Sequence, residues 1–162
     1  MASDLPSAAR VAQMVGITGS LFLSGAISSI SFITIPALLE SPPATRILLQ
    51  QWSSVFFKGA ARAPAAAALA CVSYGYATYA QTKHGKDWRL STLAGVLTIA
   101  IVPFTIIFMS KTNNRLLAGA AGALVTSTDE ARSLLTKWVR LNAIRSLLPL
   151  VGGIVGFCNL LA

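Results

Sequence analysis

Trp138, Asn142, Arg145 and Pro149 follow one another at intervals of four, three and four. On a helix that spacing lines them along one face. The face leads into an uncharged C-terminal run, and an arginine at membrane depth costs roughly 3 kcal/mol or more unless it faces protein or water. Arg145 therefore marks either a site or an interfacial side chain snorkelling to headgroups. Asn142, one turn above it, favours the site, because an amide beside a guanidinium makes a donor-rich patch suited to an oxyanion.

Lys58 and Arg62, four apart, fall at about the same depth on the same predicted side and read either as further cations of that pocket or as a positive anchor. Trp52 precedes them by one to two turns. Asn113 and Asn114 share that side and serve either the pocket or the end of a third helix. His84 is the tempting base, but it falls in the opposite loop and reads as solvated.

The common catalytic constellations are missing. The chain has one histidine and five carboxylates, Asp4, Glu40, Asp87, Asp129 and Glu130, none of them inside an uncharged stretch. That inventory gives no metal cluster, no axial pair for haem and no Ser-His-Asp arrangement. No glycine-rich loop links a strand to a helix, so nucleotide binding is unsupported. Cys71 and Cys158 fall in apolar runs and read as small apolar residues.

The elements that must position these residues are set by four uncharged stretches: 29 residues from Val11 to Leu39, 20 from Ala63 to Thr82, 21 from Leu90 to Ser110, and 17 from Ser146 to the C-terminus. About 20 apolar residues cross a hydrocarbon core of about 30 Å. With 54% hydrophobic and 11% charged residues, against about 25% charged in soluble domains, the chain reads as an integral membrane protein. The expected fold is an all-α bundle of four transmembrane helices in a single domain covering residues 1–162, with spans near 11–39, 63–82, 90–110 and 142–161. The second and fourth helices are expected to extend beyond the bilayer.

Within this frame Ser20, Ser24, Ser28 and Ser31 share a face of the first helix, either for close helix packing or as a weakly polar pocket wall. Pro36 and Ser41-Pro42-Pro43 are expected to break that helix, and Pro64 and Pro103 to kink the second and third. Leu116 to Val125 is too short to span and is expected to form a re-entrant or surface helix. Ser127 and Glu130 form a capping box that should start a long last helix.

The net charge of +8 flanks the spans and forms no polar arm, which argues against nucleic acid. Nine cations on the side of the first and third loops face four on the side of the termini. Positive-inside counting thus puts the first and third loops in the cytosol. No signal-peptide cleavage pattern follows the N-terminus, so the first span is expected to be retained, in an intracellular membrane.

The ordered pieces Ile35-Pro36-Ala37-Leu38-Leu39, Trp52 with Gly59 and Pro64, Thr112-Asn113, Trp138-Val139-Arg140-Leu141-Asn142 and Arg145-Ser146-Leu147-Leu148-Pro149 cover most of the length. In these the chain resembles the anthrone oxygenase family, small four-span membrane proteins of fungal aromatic-polyketide pathways. The resemblance implies oxidation of an anthrone to an anthraquinone with O₂ as co-substrate and no cofactor. Arg145 and Asn142 would then hold the substrate oxyanion, with Lys58 as a second cation. Trp52 and Trp138 would lie against the rings, and Asn113, Arg62, Ser28 and Ser31 would complete the binding surface. The base stays open between a desolvated Lys58 and water acting on a donor-acidified substrate.

Two other readings fit the residues. One is a non-enzymatic binder or carrier of a hydrophobic aromatic molecule. The other is a structural or assembly protein, with a homo-oligomer compatible with its small-residue faces. The Asn142/Arg145 pair separates them, since an assembly factor has little use for donors pointing into its own bundle.

Overall fold

The computed structural model describes residues 5–40 and 43–161. Four helices long and apolar enough to cross a membrane account for nearly all of them: α1 Ser7–Glu40, α2 Thr45–Lys83, α3 Arg89–Ala121 and α4 Thr128–Leu161. There is no strand among the described residues. Each helix packs chiefly on its neighbours in sequence, and α1 also packs on α4, which closes the ring of a four-helix bundle. The Ser41-Pro42 part of the expected break lies outside the described residues.

The ends of the helices follow local chemistry. Gly85 and Gly122 adopt φ of 67° and 77°, a left-handed conformation that glycine takes at no steric cost. Lys86 N then donates to Gln81 O at 2.9 Å and Ala123 N to Ala118 O at 3.0 Å, closing α2 and α3. Ser127 Oγ accepts from Glu130 N at 3.2 Å, so the expected cap starts α4. Arg115 of α3 and Glu130 of α4 form an ion pair across that turn.

Leu116 to Val125 differs from expectation. Residues 116–121 continue α3, and the helix ends only at Gly122. Thr112, Leu116 and Ala120 repeat every four residues and are all buried, so one face of this extension is held against the core in spite of Lys111 and Arg115. For the same reason Asn113 lies inside the helix and does not cap it.

Three apolar tiers fill the bundle. The largest joins Ile35, Leu48, Leu49, Trp52, Met109, Leu116, Leu135 and Trp138 at the end nearer the first and third connections. A middle tier contains Leu23, Ile27, Ala67 and Ile101, and a third is built on Ile17, Tyr74 and Ala94. Tyr74 of α2 is 1% exposed and is approached by Gly16, Gly95 and Gly156, one glycine from each of the other helices. A Cβ on Gly16 would stand 3.0 Å from its ring, and one on Gly156 would collide with it. Without a hydrophobic driving force in lipid, such close approach is what holds helices together.

The serine face of α1 joins the same packing. Ser20 Oγ pairs with Thr98 Oγ1 at 2.8 Å, and Ser24 Oγ donates to Ser146 O at 2.9 Å. These bonds tie α1 to α3 and α4.

Candidate active site

Two irregularities in α1 and α3 shape the region around Arg145. Residues Ile30–Thr34 of α1 and Thr105–Met109 of α3 are wound as π-helix, and Ile35 N reaches back to Ile30 O. Pro103 has no N–H to offer the Ile99 carbonyl, and the α-helical pattern of α3 is interrupted at Ala100, just before it. By contrast α2 passes through Pro64 as one helix. An inserted π-turn re-aims the side chains that follow it. Here the turns carry Ser31 and Thr105, the two hydroxyls that meet the polar stripe of α4.

Asn142 is fully buried and bridges the bundle. Its Nδ2 donates to Ile27 O at 3.0 Å and to Ser31 Oγ at 2.7 Å. Its Oδ1 accepts from Arg145 Nη2 at 2.6 Å. The second terminal nitrogen, Nη1, donates to Thr105 Oγ1 at 2.7 Å, and that hydroxyl donates in turn to Ile101 O at 2.7 Å. The guanidinium is thus clamped between α3 and its own helix. Its Nε is buried and has no acceptor among the described residues.

Arg145 borders an apolar cleft of about 640 Å³, counting the open mouth. Phe56, Gly59 and Pro64 of α2 form one wall, Ile101, Val102 and Thr105 of α3 the other, and Trp138 of α4 lines it together with Arg145. A Cβ on Gly59 would meet nothing within 4 Å, so this glycine leaves space in the cleft wall. Pro64 of α2 and Ile106 of α3 line the mouth and are exposed on the outer surface. The cleft therefore opens sideways between α2 and α3.

The aromatic residues form a stack behind it. Trp52 is fully buried, with its ring stacked on Phe56 at 5.2 Å and edge-on to Trp138 at 5.8 Å. Trp138 Nε1 donates to Asn113 Oδ1 at 2.9 Å, which fixes the ring that lines the cleft. Trp52 Nε1 is buried with no partner among the described residues.

The expected residues therefore separate into groups. Arg145 and Trp138 line the cleft. Asn142, Ser31, Asn113 and Trp52 stand behind them and hold them in place. Both hydrogens of the Asn142 amide, expected to face an oxyanion, are directed at Ile27 O and Ser31 Oγ of α1. Lys58 and Arg62 are exposed and outside the cleft lining, with Arg62 Nη1 donating to Lys58 O at 3.3 Å. Ser28 is half-buried and also outside it. Thr105 escaped sequence reasoning, and the only signal near it was Pro103.

Residues 52–155 match the family described as anthrone oxygenase. The chain belongs to the anthrone oxygenase family. The matched region contains the clamp of Thr105, Asn142 and Arg145 and the aromatic stack, and leaves out the serines of α1. Among similar proteins, a noranthrone monooxygenase of Aspergillus flavus is 37% identical over 86% of this chain and 68% of its own length. An anthrone oxygenase of Claviceps purpurea is 38% identical over 91% and 87%. An anthrone oxygenase of Emericella nidulans is 31% identical over 86% and 91%. No solved structure matches the chain significantly.

Proposed function

We propose that this chain is a membrane oxygenase that converts an anthrone to the corresponding anthraquinone with O₂ and without a cofactor. The observation that carries the reading is Arg145: a clamped cation beside an apolar cleft, whose buried Nε has no partner among the described residues. Neither a carboxylate nor a histidine is among the residues lining that cleft. Such a site favours a flat apolar molecule that becomes an anion.

An anthrone meets that description. Loss of a proton from its doubly benzylic methylene gives an enolate whose negative charge rests largely on the carbonyl oxygen. Arg145 stabilises this oxyanion, and the surrounding apolar walls strengthen the interaction by excluding water. The enolate passes one electron to O₂, giving a carbon radical and superoxide. These combine to a peroxide, which takes up a proton and loses water to leave the second carbonyl. One oxygen atom ends in the quinone and one in water, and no outside reductant is needed.

The exposed position of Lys58 favours water over this amine as proton acceptor, with Arg145 lowering the acidity barrier of the substrate. Trp138, set by Asn113, and Phe56, backed by Trp52, offer ring faces for the tricycle. The sideways mouth lets an apolar substrate arrive from the bilayer. Positive-inside counting favours a cytosolic position for this end of the bundle, with the first and third connections; cysteine labelling of residues 83–89 from the cytosolic side would reverse that orientation.

The test is the purified protein in lipid nanodiscs, given an anthrone under ¹⁸O₂. The expected result is anthraquinone formed well above the spontaneous rate, with one labelled atom per quinone and no metal or chromophore that tracks activity. A rate equal to the spontaneous one, or activity proportional to a bound metal or flavin, overturns the proposal.

A further inference from the structure

A second cavity, independent of the cleft, opens at the opposite end of the bundle, where α1 starts and α2 and α4 end. It measures about 1050 Å³ including its open mouth. Its inner wall is made of amides: Gln13 and Gln81 are only 2% and 3% exposed, and Asn159 is half-buried. Buried amides in an apolar bundle are costly unless their groups are bonded. Asn159 Nδ2 donates to Ser91 Oγ at 2.7 Å, and Gln13 Nε2 reaches the same oxygen at 3.5 Å. Gln81 Oε1 accepts from no donor among the described residues.

The rim supplies charge of both signs. Lys86 and Arg10 bring cations and Asp87 a carboxylate, one oxygen of which also accepts from Arg89 N at 3.0 Å. Leu5 and Leu160 add an apolar flank. Trp88, next in sequence to Asp87, is 43% exposed, and exposed tryptophans at the ends of membrane helices sit at headgroup depth.

We propose that this cavity binds a phosphodiester headgroup bearing an N–H donor, of the phosphatidylethanolamine type, from the surrounding bilayer. The phosphate meets Lys86 at the rim, the ammonium lies near Asp87 and donates to Gln81 Oε1 once that amide, buried in the wall, turns toward the cavity, and the acyl chains leave along Leu5 and Leu160. A choline headgroup has the same phosphate but no N–H, and so leaves the Gln81 oxygen unpaired. Selectivity between these two lipids is therefore the signature of the site.

Native mass spectrometry of the full chain, purified in detergent and mixed with equal amounts of phosphatidylethanolamine and phosphatidylcholine of identical acyl chains, reads this directly. The expected result is at least about fivefold preference for the ethanolamine lipid, equivalent to roughly 1 kcal/mol. Gln81→Met, similar in length but without the acceptor, should bring the ratio to about one. Gln81→Glu, which keeps an acceptor, should preserve the preference, and this contrast separates ligand recognition from a loss of folding. Equal retention of both lipids by the unaltered protein overturns the proposal, as does a preference unchanged in Gln81→Met. Glycerophosphoethanolamine, which has no acyl chains, should compete poorly. Full displacement of the lipid by it at similar concentration would overturn the lipid source in favour of a soluble phosphoester.

Discussion

Arg145 donates from Nη2 to Asn142 Oδ1 at 2.6 Å, one turn back on the same helix, while Asn142 spends its amide hydrogens on Ile27 O and Ser31 Oγ of α1. The amide points its acceptor at the cation and its donors at another helix, so it fixes the guanidinium relative to α1. With Thr105 Oγ1 on the other terminal nitrogen, the cation is pre-organised before any substrate arrives. A pre-organised charge does not have to reorient as the anion develops.

Arg145→Ala is expected to lose about 100- to 1000-fold in turnover, the range found on removing one oxyanion donor. Arg145→Lys should recover only part of this, since a point-charge ammonium cannot reproduce the planar guanidinium fork that spans Thr105 and Asn142. Single-turnover rates in nanodiscs measure both. A near-normal rate for a correctly inserted Arg145→Ala protein would remove the enolate mechanism.

Thr105→Val keeps the shape of the side chain but removes the acceptor for Nη1. Turnover should fall about tenfold, roughly 1.4 kcal/mol in the barrier, with circular dichroism unchanged. A rate equal to that of the unaltered protein would show that Asn142 alone suffices to hold the guanidinium.

Gly156→Ala places a methyl against the Tyr74 ring, and overpacking of this kind costs about 1–3 kcal/mol. A lowered thermal midpoint in detergent is the expected outcome. Gly25→Ala is the control, because its Cβ would meet nothing within 4 Å; helix propensity makes it neutral or stabilising by roughly 0.5–1 kcal/mol.

His84→Ala should leave turnover nearly unchanged, because His84 lies in the connection after α2, at the opposite end of the bundle from the first and third connections. Abolished activity in this variant would move the site to that end.

The sequence by itself determined the solvent and the architecture. Uncharged runs of about the thickness of a bilayer admit few structures other than helices, and four of them in 162 residues leave a bundle as the outcome. It also marked Arg145 and Trp138, because a four-three-four spacing carries polar groups along one helical face. Two things it could not determine. Helical periodicity tells which residues share a face but not which partner each will meet, so it could not show that the Asn142 amide hydrogens turn toward α1. The π-turns at Ile30–Thr34 and Thr105–Met109 shift that periodicity by a fraction of a turn, and Ser31 and Thr105, which meet the polar stripe of α4, lie within them. The exposure of Lys58 and the continuation of α3 to Ala121 were likewise decided by packing, since a charge count cannot say which face of a helix its neighbours will cover.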